Sequence, residues 1–266
     1  MDYTINVKGR LMDLSEPRVM GILNVTPDSF YADSRQQTEA EIVRRANQII
    51  EEGGAIIDVG ACSTRPGSEP ATEAEEMARL RLALGVVRRE FPESVVSVDT
   101  FRPDVARMAV EEFGADIIND VYAVKDMFRM VSRLHVPYIL TSSEATLRDI
   151  LLDFADKVQQ LRDLGQKDII LDPGFGFGKT VEQGYEVLSQ LERLIVLELP
   201  LLVGVSRKSM IFKLLNLTPA ESLNGTTVLN TVALMKGAGI LRVHDVREAV
   251  ECCRLISKCK PSIENS

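Results

Sequence analysis

Eight short apolar runs constrain the fold of this chain more than any other feature of its sequence. Their starts lie roughly 30 residues apart, which is the length of one strand–helix–strand unit. The runs are apolar on both faces rather than alternating, as in parallel strands that are covered on both sides. They span Val19–Val25, Ala55–Gly60, Val95–Thr100, Ile117–Val121, Val136–Thr141, Asp168–Asp172, Leu201–Ser206 and Ile240–His244.

The segments between the runs carry signals for the start and the end of helices. Gly53, Gly54 and Gly114 directly precede a run, as glycines at helix C-caps do. Four capping boxes are predicted, at Thr38 with Glu41, Thr72 with Glu75, Thr180 with Gln183, and Asp245 with Glu248.

Eight strand–helix units in series predict an α/β fold, a (β/α)8 TIM barrel that residues 1–266 form as a single domain. The alternative is a doubly wound open sheet. The first 17 residues predict a short N-terminal hairpin that lies under the barrel.

Composition excludes several classes of partner. The net charge of −8 argues against a nucleic-acid partner, which would require a basic surface. The chain has no apolar run that approaches the ~20 residues of a membrane span, and its N-terminus has no signal-peptide core. We therefore expect a cytoplasmic protein without a membrane partner. The four cysteines form no C-x-x-C pair, which argues against structural zinc.

Polar or glycine-rich residues follow seven of the runs. In a barrel the carboxyl ends of all strands meet on one face, where barrel enzymes place their active sites. The alternative is a set of salt bridges that closes the mouth of the barrel. The seven segments are Asn24–Phe30, Ser63–Gly67, Asp99-Thr100, Asn119-Asp120, Asp172–Lys179, Ser206–Ser209 and Arg242–Asp245.

The charges in these segments predict a particular kind of ligand. The carboxylates of Asp99 and Asp172 suit a ring that carries N–H donors, because an ionised carboxylate only accepts hydrogen bonds. The cations and glycine-rich turns suit a phosphate group, and Phe177 offers an apolar wall. Two roles are equally open for Arg207: it could form a structural ion pair, or it could contact the ligand. The cations are Arg65, Arg207, Lys208 and Arg242, with Asn24, Asn119 and His244 as neutral partners.

Together these segments resemble the dihydropteroate synthases of the pterin-binding barrel family. The similarity extends from Met20 to about Val246. Its most specific motifs are Met20–Phe30, Ser63–Gly67, Leu171–Lys179, Ser206–Ser209 and Arg242–Asp245.

The resemblance implies a reaction and its requirements. Such an enzyme condenses 6-hydroxymethyl-7,8-dihydropterin diphosphate with 4-aminobenzoate to give 7,8-dihydropteroate and pyrophosphate, a step of folate biosynthesis that sulfonamides target. The resemblance also implies Mg²⁺ as cofactor and a homodimer.

The resemblance further implies a role for each site residue. The catalytic residues would be Lys208, Asp99, Asp172 and Arg65. The pterin would be held by Asp99, Asn119, Asp172 and Lys208, with Arg242 against its face and Phe177 nearby. The diphosphate would be gripped by Arg65, Arg242 and His244, with Asn24 helping to hold Mg²⁺, and the aminobenzoate would be framed by Phe30, Thr64, Pro66 and Ser206.

Three segments depart from the family pattern. Ala61-Cys62 replaces Gly-Glu, Tyr31–Ser34 replaces Ser-Asp-Gly-Gly, and Leu140–Glu144 replaces the Met-His-Met signature. Two alternatives therefore stay open: a pterin-dependent methyltransferase, and an inactive pterin-binding barrel.

Overall fold

The computed structural model of the protein describes residues 3–26, 35–62 and 71–259. Eight parallel strands form one sheet in the order β8-β7-β6-β5-β4-β3-β10-β9, and a bridge between Leu171 and Leu201 joins β8 to β9. The predicted (β/α)8 barrel is confirmed. The strands are β3 (Arg18–Asn24), β4 (Ile56–Gly60), β5 (Val95–Asp99), β6 (Ile117–Asp120), β7 (Tyr138–Thr141), β8 (Ile169–Asp172), β9 (Leu202–Val203) and β10 (Ile240–Val243).

The helices alternate with the strands and cover the outside of the barrel. Leu80 and Phe154 on the helices pack against outward residues of the strands such as Val98 and Leu171. Among the described residues, no helix is both long enough and apolar enough to cross a membrane. The helices are α1 (Arg35–Glu51), α2 (Glu73–Glu90), α3 (Pro103–Phe113), α4 (Lys125–Leu134), α5 (Leu147–Asp163), α6 (Val181–Ser189), α7 (Ser209–Leu215), α8 (Leu223–Met235) and α9 (Val246–Cys259), with a 3₁₀ helix at Leu191–Leu197.

Two of the predicted capping boxes are present in full. Thr72 and Thr180 each accept from the backbone N–H three residues later, and the side chain of that residue bonds back to the cap. Gly114 has the left-handed conformation, with φ of 61°, and ends α3 as predicted. The cap at Thr38 is wrong, because α1 already begins at Arg35. α9 begins directly after Asp245.

The seventh predicted strand is too long. The run Leu201–Ser206 forms a strand only at Leu202–Val203. Beyond it the Lys208 N–H bonds to the Val205 carbonyl, and Arg207 takes a positive φ of 54°, so the chain turns out of the sheet. The other strands start and end within one or two residues of their predicted bounds.

A short hairpin closes the bottom of the barrel. Strands β1 (Thr4–Val7) and β2 (Arg10–Asp13) pair antiparallel across a turn at Lys8 and Gly9, where φ is positive at both residues. Lys8 forms an ion pair of 3.0 Å with Asp116 on the barrel. The predicted hairpin under the barrel is confirmed.

The hairpin supplies side chains to the apolar floor of the barrel interior. Ile5, Val7 and Leu14 are buried in one cluster with the inward residues of the strands. These inward residues are Met20, Ile56, Ile117, Ile139, Ile170, Leu202 and Ile240. The lower half of the interior is therefore hydrocarbon, and polar inward residues begin only above it.

We expect Ile5→Ala to lower the free energy of unfolding by about 2–5 kcal/mol, because it leaves a cavity in this floor. Leu11→Ala in the same hairpin is the matched control, since Leu11 is 72% exposed and should change stability little. Urea denaturation of both variants measures the difference. Equal losses would show that the hairpin does not pack as a plug.

Candidate active site

A buried arginine joins three strands at the centre of the barrel mouth. Arg242 on β10 donates from Nε to the Asp58 carboxylate on β4, and from a terminal nitrogen to the Asp99 carboxylate on β5, both at 2.6 Å. Asn119 on β6 donates to the same oxygen of Asp58 at 3.3 Å. These four side chains form a continuous polar group, which we call the arginine cluster.

The arginine cluster has two carboxylates and one cation. Burial disfavours the charged form of Asp99, and the negative charge of Asp58 adds to this effect. Together they raise the pKa of Asp99 to about 7, although Arg242 acts in the opposite direction. Burial alone would lower the pKa of Arg242, but Asp58 and Asp99 together raise it, so the arginine stays charged.

Asp172 and Lys208 lie next to the arginine cluster, and a Cβ at Gly204 would be within 4 Å of both the Lys208 ammonium and the Arg242 side chain. Asp172 ends β8 and accepts the Gly174 N–H at 2.8 Å, which fixes its carboxylate. Burial raises the pKa of Asp172, while Lys208 partly offsets that rise. Burial likewise lowers the pKa of Lys208 to about 8. The ammonium group of Lys208 donates to the Phe175 carbonyl and lies 5.1 Å from the ring centre of Phe177.

The loop after β8 sits directly on the end of β7. A Cβ atom at Gly174 would lie 2.1 Å from the Ser142 carbonyl oxygen, and one at Gly178 would lie 2.2 Å from that of Ser143. Both glycines also have positive φ. Lys179 reaches back and donates to the carbonyls of Ser142, Gly174 and Phe177 at 3.2–3.3 Å. This contact holds Phe177 beside Lys208.

Ser206 and His244 form a third polar pair. The Ser206 hydroxyl oxygen accepts the backbone N–H of His244 and lies 3.1 Å from its ring Nδ1. Burial, followed by the charge of Arg242, lowers the pKa of His244 to about 4. The imidazole is therefore neutral at pH 7.

Arg207 has a structural role. Its guanidinium forms a two-point ion pair with Asp245 at 2.7 and 2.9 Å and also donates to the carbonyls of Pro219 and Ala220. The structural alternative for Arg207 is thereby confirmed.

Asn24 ends β3 beside Gly60, and its side-chain oxygen would lie 3.3 Å from a Cβ at position 60. Within the described parts of the chain, no group of three or more His, Cys, Asp or Glu side chains could hold a metal ion. A neutral amide oxygen without a carboxylate cage suits a cation that keeps its waters and binds mainly through phosphate oxygens, as Mg²⁺ does. The side-chain oxygen of Asn24 fits a Mg²⁺ ion that is held mainly by the phosphate oxygens of a ligand.

The structure thus brings together most of the predicted site residues that it describes. Asp99, Asn119 and Arg242 lie in the arginine cluster, Asp172, Phe177 and Lys208 beside it, and Ser206, His244 and Asn24 at other strand ends. The remaining predictions, Phe30, Thr64, Arg65 and Pro66, and the segment Tyr31–Ser34 fall outside the described residues.

Sequence reasoning missed two residues of this site. Asp58 lies inside the apolar run that became β4, and a carboxylate in the middle of such a run was itself the signal. Lys179 was part of a recognised motif, but its three carbonyl contacts depend on the packing of two neighbouring loops.

Comparison with known proteins identifies close relatives. The family model described as "Pterin binding enzyme" matches residues 20–244. The chain is 38% identical to the dihydropteroate synthase of Escherichia coli over 97% of both chains. It is 41% identical to that of Clostridium beijerinckii, over 86% of this chain and 89% of the relative. A structure of Xanthomonas albilineans dihydropteroate synthase with 4-aminobenzoic acid superposes with a TM-score of 0.87 at 32% identity, over 97% of this chain and 98% of that one.

We expect the imidazole of His244 to stay neutral from pH 8 down to about pH 5.5, because its pKa is held at about 4. Long-range ¹H–¹⁵N correlation spectra of the imidazole rings measure this titration. His135→Asn removes the other histidine at a left-handed position that asparagine tolerates, which leaves one set of signals to follow. A midpoint near 6.5 would contradict the proposed desolvation.

Proposed function

The chain belongs to the pterin binding enzyme family, and within it to the dihydropteroate synthases; from that membership we propose how its residues share the reaction. The enzyme is a transferase that joins 6-hydroxymethyl-7,8-dihydropterin diphosphate to 4-aminobenzoate and releases pyrophosphate. The observation that carries the division of roles is the arginine cluster, with Asp172 and Lys208 next to it.

Asp172 recognises the amino-pyrimidine edge of the pterin. A carboxylate can accept two N–H donors, as it does from a guanidinium. The Gly174 N–H orients the Asp172 carboxylate before substrate arrives. Burial raises the pKa of Asp172, and ligand N–H donors would favour its ionised form because they replace lost hydration.

The arginine cluster favours bond breaking at the exocyclic CH₂ group of the pterin. The electron-rich ring can delocalise a positive charge as the C–O bond to the diphosphate breaks. Arg242 lies against the ring in this proposal, yet Asp58 and Asp99 more than neutralise it once both are ionised. The cluster then carries a net negative charge, which stabilises a developing cation in a site with little water.

Lys208 and His244 serve the departing pyrophosphate. Lys208 supplies a positive charge at the mouth, and Arg65 would add a second. Ser206 already accepts the backbone N–H of His244, so its hydroxyl can donate to Nδ1. The proton of the neutral imidazole then lies on Nε2, which can donate to a phosphate oxygen.

Mg²⁺ would be held by Asn24 together with the oxygens of the diphosphate, where it would neutralise the charge of the leaving group. Phe30, Thr64 and Pro66 would complete the aminobenzoate site beside Ser206. The aromatic amine is already neutral at pH 7, so no strong base has to activate it. The absence of a nucleic-acid or membrane partner and the cytoplasmic location stay parts of this proposal.

The test of the function is release of pyrophosphate that requires both substrates. We expect Lys208→Ala to lower turnover roughly a hundredfold or more, since it removes a cation that faces the leaving group. Lys236→Ala is the control, because Lys236 pairs with Glu192 on the outer surface. Normal turnover by a folded Lys208→Ala variant would contradict the role given to Lys208. Pterin binding by the wild-type protein without pyrophosphate release would identify an inactive barrel.

We also propose that the chain forms a homodimer through α7, α8 and α9. Val228 and Met235 are exposed and lie two turns apart on one face of α8. Leu255 on α9 is exposed as well, and α8 and α9 pack together. Leu214 and Leu215 on α7 extend this apolar surface. A second copy of the chain is the partner that it suits, because exposed apolar patches mark association sites.

We expect the wild-type protein to sediment as a dimer, with twice the chain mass of 29.5 kDa. Met235→Glu should sediment as a monomer, because burial of a charge in the interface is unfavourable. Leu152→Glu on α5 is the matched control, because Leu152 is also exposed, at 60% against 73% for Met235, but lies on another helix. Sedimentation equilibrium decides between these states. Loss of the dimer in both variants would remove the support for this surface.

A further inference from the structure

The hydroxyl of Thr141 is buried and has no hydrogen-bond partner among the described residues. Thr141 is the last residue of β7 and is 1% exposed. An unpartnered buried hydroxyl costs free energy, so most such groups are satisfied by the protein, by water or by a ligand. Nothing in the reaction as described above uses this atom.

The strand pattern places Thr141 inside the barrel. Tyr138 and Leu140 belong to the outer cluster, whereas Ile139 belongs to the interior floor. Side chains alternate along a strand, so Thr141 shares the inner face with Ile139. It therefore lies one layer above the apolar floor, where the polar part of the interior begins.

Thr141 is the direct neighbour of the proposed pterin carboxylate. In the parallel pairing of β7 with β8, Thr141 stands opposite Asp172. Its methyl group lies 3.1 Å from where a Cβ at Gly174 would be, so the methyl packs under the loop after β8 and the hydroxyl takes a different direction. The hydroxyl is thus an unused polar group beside the site of the amino-pyrimidine edge.

The Thr141 hydroxyl differs in chemistry from the carboxylates around it. Asp58, Asp99 and Asp172 accept hydrogen bonds when ionised, but they cannot donate. A hydroxyl both donates and accepts, and the edge of an amino-pyrimidine ring carries acceptors next to its N–H donors. Asn119, Lys208 and Arg242 also donate, and each already donates to an oxygen of the protein. The Thr141 hydroxyl is a further donor, one with no partner among the described residues.

We propose that the Thr141 hydroxyl donates a hydrogen bond to an acceptor atom of the pterin ring, next to the edge that Asp172 binds. This inference rests on the proposed function. It makes Thr141 a determinant of pterin affinity within a strand end, Leu140–Glu144, that departs from the family pattern.

The test compares Thr141→Val, which removes the hydroxyl at nearly constant shape, with Thr141→Ser, which keeps it. Calorimetric titration uses 6-hydroxymethyl-7,8-dihydropterin diphosphate with Mg²⁺ as one probe and pyrophosphate as the other. We expect Thr141→Val to bind the pterin diphosphate roughly fivefold to tenfold more weakly, the worth of about one hydrogen bond. Thr141→Ser should bind it with close to wild-type affinity, and pyrophosphate affinity should be the same in all three proteins.

Stability separates a ligand contact from a structural role. Because the hydroxyl bonds to none of the described residues, Thr141→Val should leave the urea midpoint unchanged or raise it. Thr231→Val is the remote control, since its hydroxyl bonds to the Thr227 carbonyl on α8, and it should leave pterin affinity unchanged.

The outcomes are distinct. Wild-type affinity in Thr141→Val, or an equal loss in the Val and Ser variants, would overturn the role of Thr141 while the proposed function stands. If the wild-type protein fails to bind the pterin diphosphate, the proposed function and this inference both fall.

Discussion

The ion pairs of Arg242 with Asp58 and Asp99 are the interaction on which the mouth of this barrel depends. They connect β10 to β4 and β5, two strands that do not pair with β10 in the sheet. A guanidinium in such a place is tolerated only when its charge is compensated, because desolvation of an unpaired charge is costly. The pairing therefore holds three strands together at the mouth.

Much of the architecture could be predicted from the sequence because the strands of a barrel are buried on both faces. Because of that burial each strand is an apolar run in the sequence. The predicted strand at β5 and the predicted helix end at Gly114 are both present in the structure. The predictions failed where a local sequence signal for a cap or a strand is overridden by the surrounding structure. Thr38 has the side chain of a cap but lies inside α1, and β9 ends at Val203, ahead of the turn in which the Lys208 N–H bonds to the Val205 carbonyl. Asp58 was missed because the search for polar residues followed strand ends rather than strand interiors. The roles of all the site residues, those of Arg65 and of the aminobenzoate residues included, stay predictions.

The packing of the loop after β8 explains how a site of this family tolerates an altered end of β7. Gly174, Gly178 and Lys179 all contact main-chain carbonyl oxygens, of Ser142, Ser143 and the loop itself. Every residue type provides such a carbonyl, so the seat of the loop does not depend on which side chains follow Leu140. The inward position at Thr141 can vary in chemistry while the loop and Phe177 keep their places.

Among the described residues, the hairpin under the barrel closes the end of the interior that lies opposite the polar mouth. Ile5, Val7 and Leu14 cover the floor with hydrocarbon, so we expect ligands to enter and leave through the polar mouth. Asp172 and Arg242 stand two residues after Ile170 and Ile240 of this floor, so the proposed pterin position lies directly above it. A ring bound there would rest on hydrocarbon below and meet charged side chains at its edges, so the floor sets the depth to which a ligand can enter.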